Sequence, residues 1–220
     1  MGKTKANNTT ELKSRTRKIL TRLKKAYPDS ECSLNHRSPY ELMVAVILSA
    51  QCTDERVNKV IPGFFKRFKT VKAVASASLE DIEDEIRSTG FFRNKAKSLK
   101  GNATVLLAEH GGEVPRTLAE LVKLPGVGRK TASAVLGAAF GLAEGVVVDT
   151  HVTRISRLLH LSSEKTPEKI ERDLIEILPK KDWIRWTHMI IDHGRAVCVA
   201  RRPKCAECVL SDLCPSSEVK

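Results

Sequence analysis

Apolar residues recur every three or four positions along nearly the whole of this chain and alternate with polar ones almost nowhere, a pattern that helices satisfy and sheets do not. Leu12, Ile19, Leu20 and Leu23 line one face of a first helix, which Pro28 stops because it has no N–H to give. Ser38, Pro39 and Glu41 then supply an N-cap, a first-turn proline and the third-position acid of a capping box. The helix they open, Tyr40 to Ala50, is apolar almost all round and is expected at the centre of a core. Ser78 with Asp81 and Thr117 with Glu120 repeat the start signal, and Gly90 ends the helix that Ser78 begins. Asn94 to Ala108, Arg129 to Ala139, Thr150 to His160, Pro167 to Leu178 and Trp183 to His193 bring the expected total to roughly ten helices, punctuated by Gly111, Gly141, Pro179 and Gly194. Val146 to Val148 is the single extended-looking run. With no long linker, low-complexity tract or tandem repeat, the 220 residues are expected to form an all-α fold with a proper core, as one domain or two small ones.

A formal charge of +12 points towards a polyanion, either nucleic acid or an anionic membrane surface. No apolar run approaches the roughly 18 residues of a membrane span and no signal peptide is visible, so a soluble intracellular protein is expected. The excess charge is concentrated: residues 1–25 carry nine lysines and arginines against one acid, Glu11. Residues 1–11 read as a basic flexible tail leading into a helix with a charged outer face. Composition leaves open whether that face meets solvent or DNA.

Four of the six cysteines, Cys198, Cys205, Cys208 and Cys214, fall within seventeen residues as Cys-x6-Cys-x2-Cys-x5-Cys. In a reducing compartment thiols this close bind metal more often than they pair as disulfides. Structural zinc usually takes two Cys-x2-Cys knuckles, and the single knuckle here shifts weight towards an iron-sulfur cluster held by four thiolates. Arg195, Arg201, Arg202 and Lys204 flank or lie within this loop with no acid among them. A rigid basic prong aimed at phosphates is one use for them; balancing the charge of the metal centre is the other.

Between Thr117 and Gly141 the chain reads helix, then the turn Pro125-Gly126-Val127-Gly128, then helix. Two glycines in a four-residue turn permit positive φ and leave the N–H groups at the start of the next helix uncovered, a position suited to a DNA phosphate. An ordinary helix-helix turn also uses glycine, so Gly-x-Gly alone says little. The complete Leu-Pro-Gly-Val-Gly-Arg-Lys, however, matches the helix-hairpin-helix motif of DNA repair proteins.

From these motifs the chain resembles the endonuclease III family, bifunctional DNA glycosylases and abasic-site lyases of oxidised-pyrimidine repair. The resemblance spans about residues 12–215 and rests on four ordered segments: Ile47 to Asn58, the hairpin, Val146 to Arg154, and His193 to Cys198 with the three later cysteines. It implies that Lys130 is the nucleophile, Asp149 the catalytic carboxylate, and the four cysteines the ligands of one [4Fe-4S] cluster. It also implies that Gln51 fills the hole left by a flipped nucleotide, Asp54 helps contact the flipped base, and Phe91 probes the opposite strand. Gly126, Val127, Gly128 and Arg129 are then the hairpin's contacts to DNA, joined by Arg195, Arg201 and Arg202. His151 is expected to pack by the hairpin or touch phosphate rather than bind metal. The sequence departs from the family at Phe91, where an aliphatic residue is more usual, so Phe92 is the alternative probe, and at Cys52, which replaces a smaller or hydroxylated neighbour.

The chemistry asks for these residue types. A lysine attacking C1′ leaves a Schiff base, which permits β-elimination of the 3′ phosphate; a serine or water does not. A free lysine with a pKa of about 10.4 is neutral only about one part in 2,500 at pH 7, so it needs activation. The positive end of its helix supplies roughly 0.3 to 1 kcal/mol, which is too little. Burial by the flipped base and a proton acceptor, Asp149, are expected to provide the rest. Asp149 also precedes Thr150 as an N-cap, and both roles are expected of it.

The expected fold is two helical lobes: a barrel over 32–142 containing the hairpin, and a cluster lobe joining 12–31 to 143–220, with Lys130 and Asp149 meeting across a cleft. The expected partner is damaged double-stranded DNA, with no membrane, and the expected state a monomer in the cytoplasm, associated with the nucleoid in a prokaryote. A cluster-bearing adenine glycosylase is the nearest rival and lacks the lysine; a thymine mismatch glycosylase is set aside on the same ground. A non-catalytic DNA-binding module and a redox sensor are the rivals from other classes.

Overall fold

The computed structural model describes residues 2–219, with side chains from Thr10 onward. Its helices are α1 (Gly2–Ala26), α2 (Pro39–Leu48), α3 (Asp54–Arg67), α4 (Val71–Ser76), α5 (Leu79–Ile86), α6 (Phe92–His110), α7 (Leu118–Leu121), α8 (Arg129–Phe140), α9 (Thr150–Leu158), α10 (Pro167–Ile177) and α11 (Trp183–Ala196). Single 3-10 turns occupy 87–89, 180–182, 205–207 and 211–213, and no strand occurs among the described residues. None of these helices is long and apolar enough to cross a membrane. The all-α expectation therefore holds. α3 and α4 lay outside the helices picked out from apolar spacing; Pro62 interrupts the signal of α3 from inside the helix.

Contacts divide the chain into two units, residues 32–144 and residues 1–31 with 145–220. The N-terminal helix begins at Gly2, so the segment expected as a flexible tail, residues 1–11, is helical from its second residue. No proline or glycine interrupts residues 3–26, and a helix once nucleated extends at little cost per residue. The side chains of Lys3 and Lys5, counted in the basic run, lie outside the described residues.

Within 32–144, α2 is the hub. Leu42, Met43, Val44, Ala45, Ile47 and Leu48 are all buried, and α3, α6 and α8 pack around them. Its start follows the expected chemistry with one change. Ser38 Oγ accepts from the Glu41 N–H at 3.2 Å, but the Glu41 carboxylate reaches past Ser38 and accepts from the Arg37 N–H at 2.8 Å. In the other unit α11 packs against α1 and α9, with Trp186 fully buried. The run Val146–Val148 threads this core without a strand partner: Val146 and Val148 are buried, and the Val147 carbonyl accepts from Thr187 Oγ1 at 3.0 Å.

Candidate functional site

The turn between α7 and α8 is docked on α6 by its small residues. Gly126 has φ +78°, and a Cβ placed there would lie 2.6 Å from Ser98 Cβ, so only glycine fits. Asn102 Nδ2 donates to the Pro125 carbonyl at 3.4 Å, and Val127 is buried beneath the turn. Gly128, the second glycine of the turn, has φ −83° and ψ 174° as the N-cap of α8. A Cβ there would meet nothing within 4 Å. The fold makes no demand for glycine at this position. No side chain caps α8, and its first intrahelical backbone bond runs from Ala132 to Gly128, so amide N–H groups at its start lack intrahelical partners. Arg129 and Lys130 stand exposed in this first turn.

Two further loops of the same unit present residues in left-handed conformation. Gln51, between α2 and α3, has φ +54° and is exposed. Phe91, just before α6, has φ +48° and is 62% exposed. Phe92 by contrast packs against the core, flanked by the guanidinium groups of Arg87 and Arg93 at 4.9 and 5.7 Å from its ring centre. Asp54 opens α3, and its Oδ2 accepts from Ser33 Oγ at 2.6 Å.

In the other unit Asp149 is the N-cap of α9, and both its oxygens are engaged. Oδ1 accepts from the Val152 N–H at 2.8 Å, and Oδ2 lies 2.9 Å from His151 Nδ1. The carboxylate keeps 18% of its surface. The His151 ring lies against Gly194 of α11, where a Cβ would approach its Cδ2 to 2.8 Å. Among the described residues of its own unit, His151 therefore serves Asp149; the phosphate contact expected of it gains no support from these bonds.

All four C-terminal cysteines line one cavity of about 110 Å³. Four thiols around one cavity make a donor set suited to an iron-sulfur cluster. Burial pushes the Cys198, Cys208 and Cys214 thiols above their ordinary range, with neighbouring cysteines adding to it, so metal binding has to displace their protons. Cys198 Sγ accepts from Arg154 Nη1 at 3.7 Å, and Cys208 Sγ accepts from the Leu210 N–H at 3.4 Å and faces His193 Nε2 at 3.6 Å. Burial depresses His193 to about 4, and its ring bridges the two groups, with Nδ1 2.9 Å from the Tyr27 hydroxyl and Nε2 facing this sulfur. The loop is fastened from α1: Arg15 donates to the carbonyls of Leu159 and Leu213 at 2.7 and 3.2 Å, while Arg22 pairs with Asp212 and donates to the Val209 carbonyl at 2.9 Å. Arg201 and Arg202 are exposed along it, and Arg195 is exposed in the last turn of α11.

Sequence reasoning missed Arg15, Arg22, Arg154, His193 and Lys95. Two of them were marked by polar residues on apolar helix faces: His193 falls in line with Trp186 and Ile190, and Lys95 with Leu99, Ala103 and Leu106. The arginines carry no such mark, since their acceptors, backbone carbonyls together with Asp212 and Cys198 Sγ, are remote in sequence.

Residues 44–180 match the family model for HhH-GPD superfamily base excision DNA repair proteins, and residues 198–214 that for the iron-sulfur binding domain of endonuclease III. Endonuclease III of Synechocystis sp. is 52% identical over 206 residues, covering 94% of each chain. That of Bacillus subtilis is 45% identical over 189 residues, covering 86% of each. A solved structure of a trapped endonuclease III–DNA covalent intermediate matches with a TM-score of 0.89 at 42% identity, covering 93% of this chain and 96% of that one. The chain carries one [4Fe-4S] cluster. Likeness of this extent, over both the hairpin unit and the cysteine loop, shows that the chain belongs to the endonuclease III family of base excision repair proteins.

Proposed function

We propose that Lys130 is the nucleophile and Asp149 the catalytic carboxylate through which this family member acts. The chain is a base excision repair DNA glycosylase that removes oxidised pyrimidines, with an associated abasic-site lyase activity. The observation that carries the assignment is the position of Lys130, exposed in the first turn of an uncapped helix whose N-cap glycine the fold itself does not require. A phosphate held by those amides brings the sugar-phosphate backbone to the amine.

The ε-amine attacks C1′ as the glycosidic bond breaks; the bonding electrons leave with the base, which takes up a proton. Opening of the sugar gives a Schiff base, and loss of a C2′ proton then expels the 3′ phosphate. Asp149 accepts a proton and stabilises positive charge on the sugar, its carboxylate kept from rotating by Val152 N–H and His151.

Gly126, Val127, Gly128 and Arg129 form the phosphate contact, Gln51 enters the vacated stack and Asp54 lies by the flipped base. Phe91 probes the opposite strand, a reading supported over Phe92 by its exposure. Cys198, Cys205, Cys208 and Cys214 hold the cluster, which cross-links the loop when bound and leaves bond breaking to the side chains. Arg195, Arg201 and Arg202 then meet phosphates along that loop. The partner is damaged double-stranded DNA, and the protein works as a cytoplasmic, nucleoid-associated monomer. Borohydride trapping on a damaged duplex tests the assignment. We expect a covalent adduct with the wild-type chain and none with Lys130→Ala, whose cluster absorbance and DNA affinity persist; an adduct retained in the variant would move the nucleophile elsewhere.

A further inference from the structure

We propose that Lys95 is a positioning residue that sets the two DNA-inserting loops in register with each other, so that Gln51 and Phe91 enter the duplex as one unit. The proposal rests on the reading of these two residues as wedges.

Lys95 lies on the apolar face of α6 and is 5% exposed. Its Nζ donates to two backbone carbonyls, those of Leu48 and Thr89, each at 2.8 Å, and it makes no ion pair among the described residues. Burial pushes its ammonium below the ordinary lysine range, so the group is held there against a desolvation cost.

A lysine that merely filled space or capped a helix end would be replaceable by an apolar side chain with a local cap. The choice of acceptors says more. Leu48 ends α2, three residues before Gln51, and Thr89 ends the 3-10 turn, two residues before Phe91. Among the described residues three non-glycine residues have positive φ, and two of them follow the acceptors of this one nitrogen. Left-handed backbone at a non-glycine residue is unfavourable and persists only where the surroundings determine it. A single buried donor bonded to both carbonyls ties the two strained loops to one point of α6. A wedge pair held in advance pays less ordering entropy on entering the duplex, and the benefit falls on the step that opens a stacked, paired nucleotide.

The test compares the cluster-loaded protein on two substrates: a duplex with a paired oxidised pyrimidine, and one with a preformed abasic site, which needs no base drawn from the stack. Lys95→Met should lower single-turnover excision of the paired lesion about tenfold relative to its own β-elimination rate at the abasic site. Added to a chain already carrying Gln51→Ala and Phe91→Ala, it should change that ratio no further, because its effect passes through those residues. Lys95→Gln, which keeps one amide donor group, should shift the ratio in the same direction by less, and it carries the test if the methionine variant does not fold. Equal losses on both substrates, or a full further loss in the chain without wedges, would overturn the proposal by showing a role in general stability. If Gln51→Ala and Phe91→Ala leave the paired-lesion rate untouched, the wedge reading fails and this inference with it.

Discussion

Asp149 uses one oxygen to start a helix and the other to meet His151, so its capping role and the catalytic role proposed for it separate by substitution. Asparagine caps a helix as well as aspartate but carries no charge. Asp149→Asn should therefore leave thermal stability nearly unchanged while excision falls by about 10²- to 10³-fold. Asp149→Ala should lose about 1 kcal/mol of stability in addition. Comparing affinity for an abasic analogue with the single-turnover rate checks this; equal losses of affinity and rate in Asp149→Asn would leave only the capping role. Aspartate before Thr150 signals a cap in any sequence, so the cap was legible from the residues alone, while the catalytic role came from resemblance. The bond to His151 was not legible, because the ring packs against Gly194, which lies on another helix far along the chain.

The two glycines of the hairpin motif stand in different surroundings. Gly126 is required by its own backbone angle and by Ser98, so Gly126→Ala should cost about 2 to 4 kcal/mol, measurable as a lower denaturant midpoint. Gly128 has an ordinary φ and open space around it. Gly128→Ala should cost about 1 kcal/mol or less in stability yet weaken DNA binding at any sequence, as the loss of a phosphate contact does. Unchanged affinity in Gly128→Ala would count against phosphate binding at this helix end. The spacing of the motif marks both positions, but it does not tell a glycine kept for the fold from one kept for a ligand; that distinction needs the neighbours' coordinates. The same holds for α6, where Lys95 interrupts an apolar stripe visible in the sequence while its two carbonyl acceptors are not.

The unit that carries the cysteines is discontinuous, with α1 supplying both core residues and the fastening of the metal loop. Arg15→Ala removes donors to three carbonyls, those of Leu159, His160 and Leu213, and should lower stability by about 1 to 2 kcal/mol. The cluster's visible absorbance should then decay faster under a chelator, with a decay equal to wild type as the outcome against it. The basic N-terminal run read as a surface for solvent or DNA; Arg15, Arg22 and Lys24 instead spend their charge within the unit, on carbonyls, Asp212 and Asp182. Helix class, hairpin and cysteine set were readable beforehand, since periodicity, capping and motif spacing are local properties of a chain; Lys130 and Asp149 were singled out by resemblance. Which glycine is under strain, which arginine braces the metal loop, and which lysine bonds the carbonyls before Gln51 and Phe91 depend on contacts between residues far apart in sequence. Such contacts leave no spacing to read, because they exist only once the helices have packed.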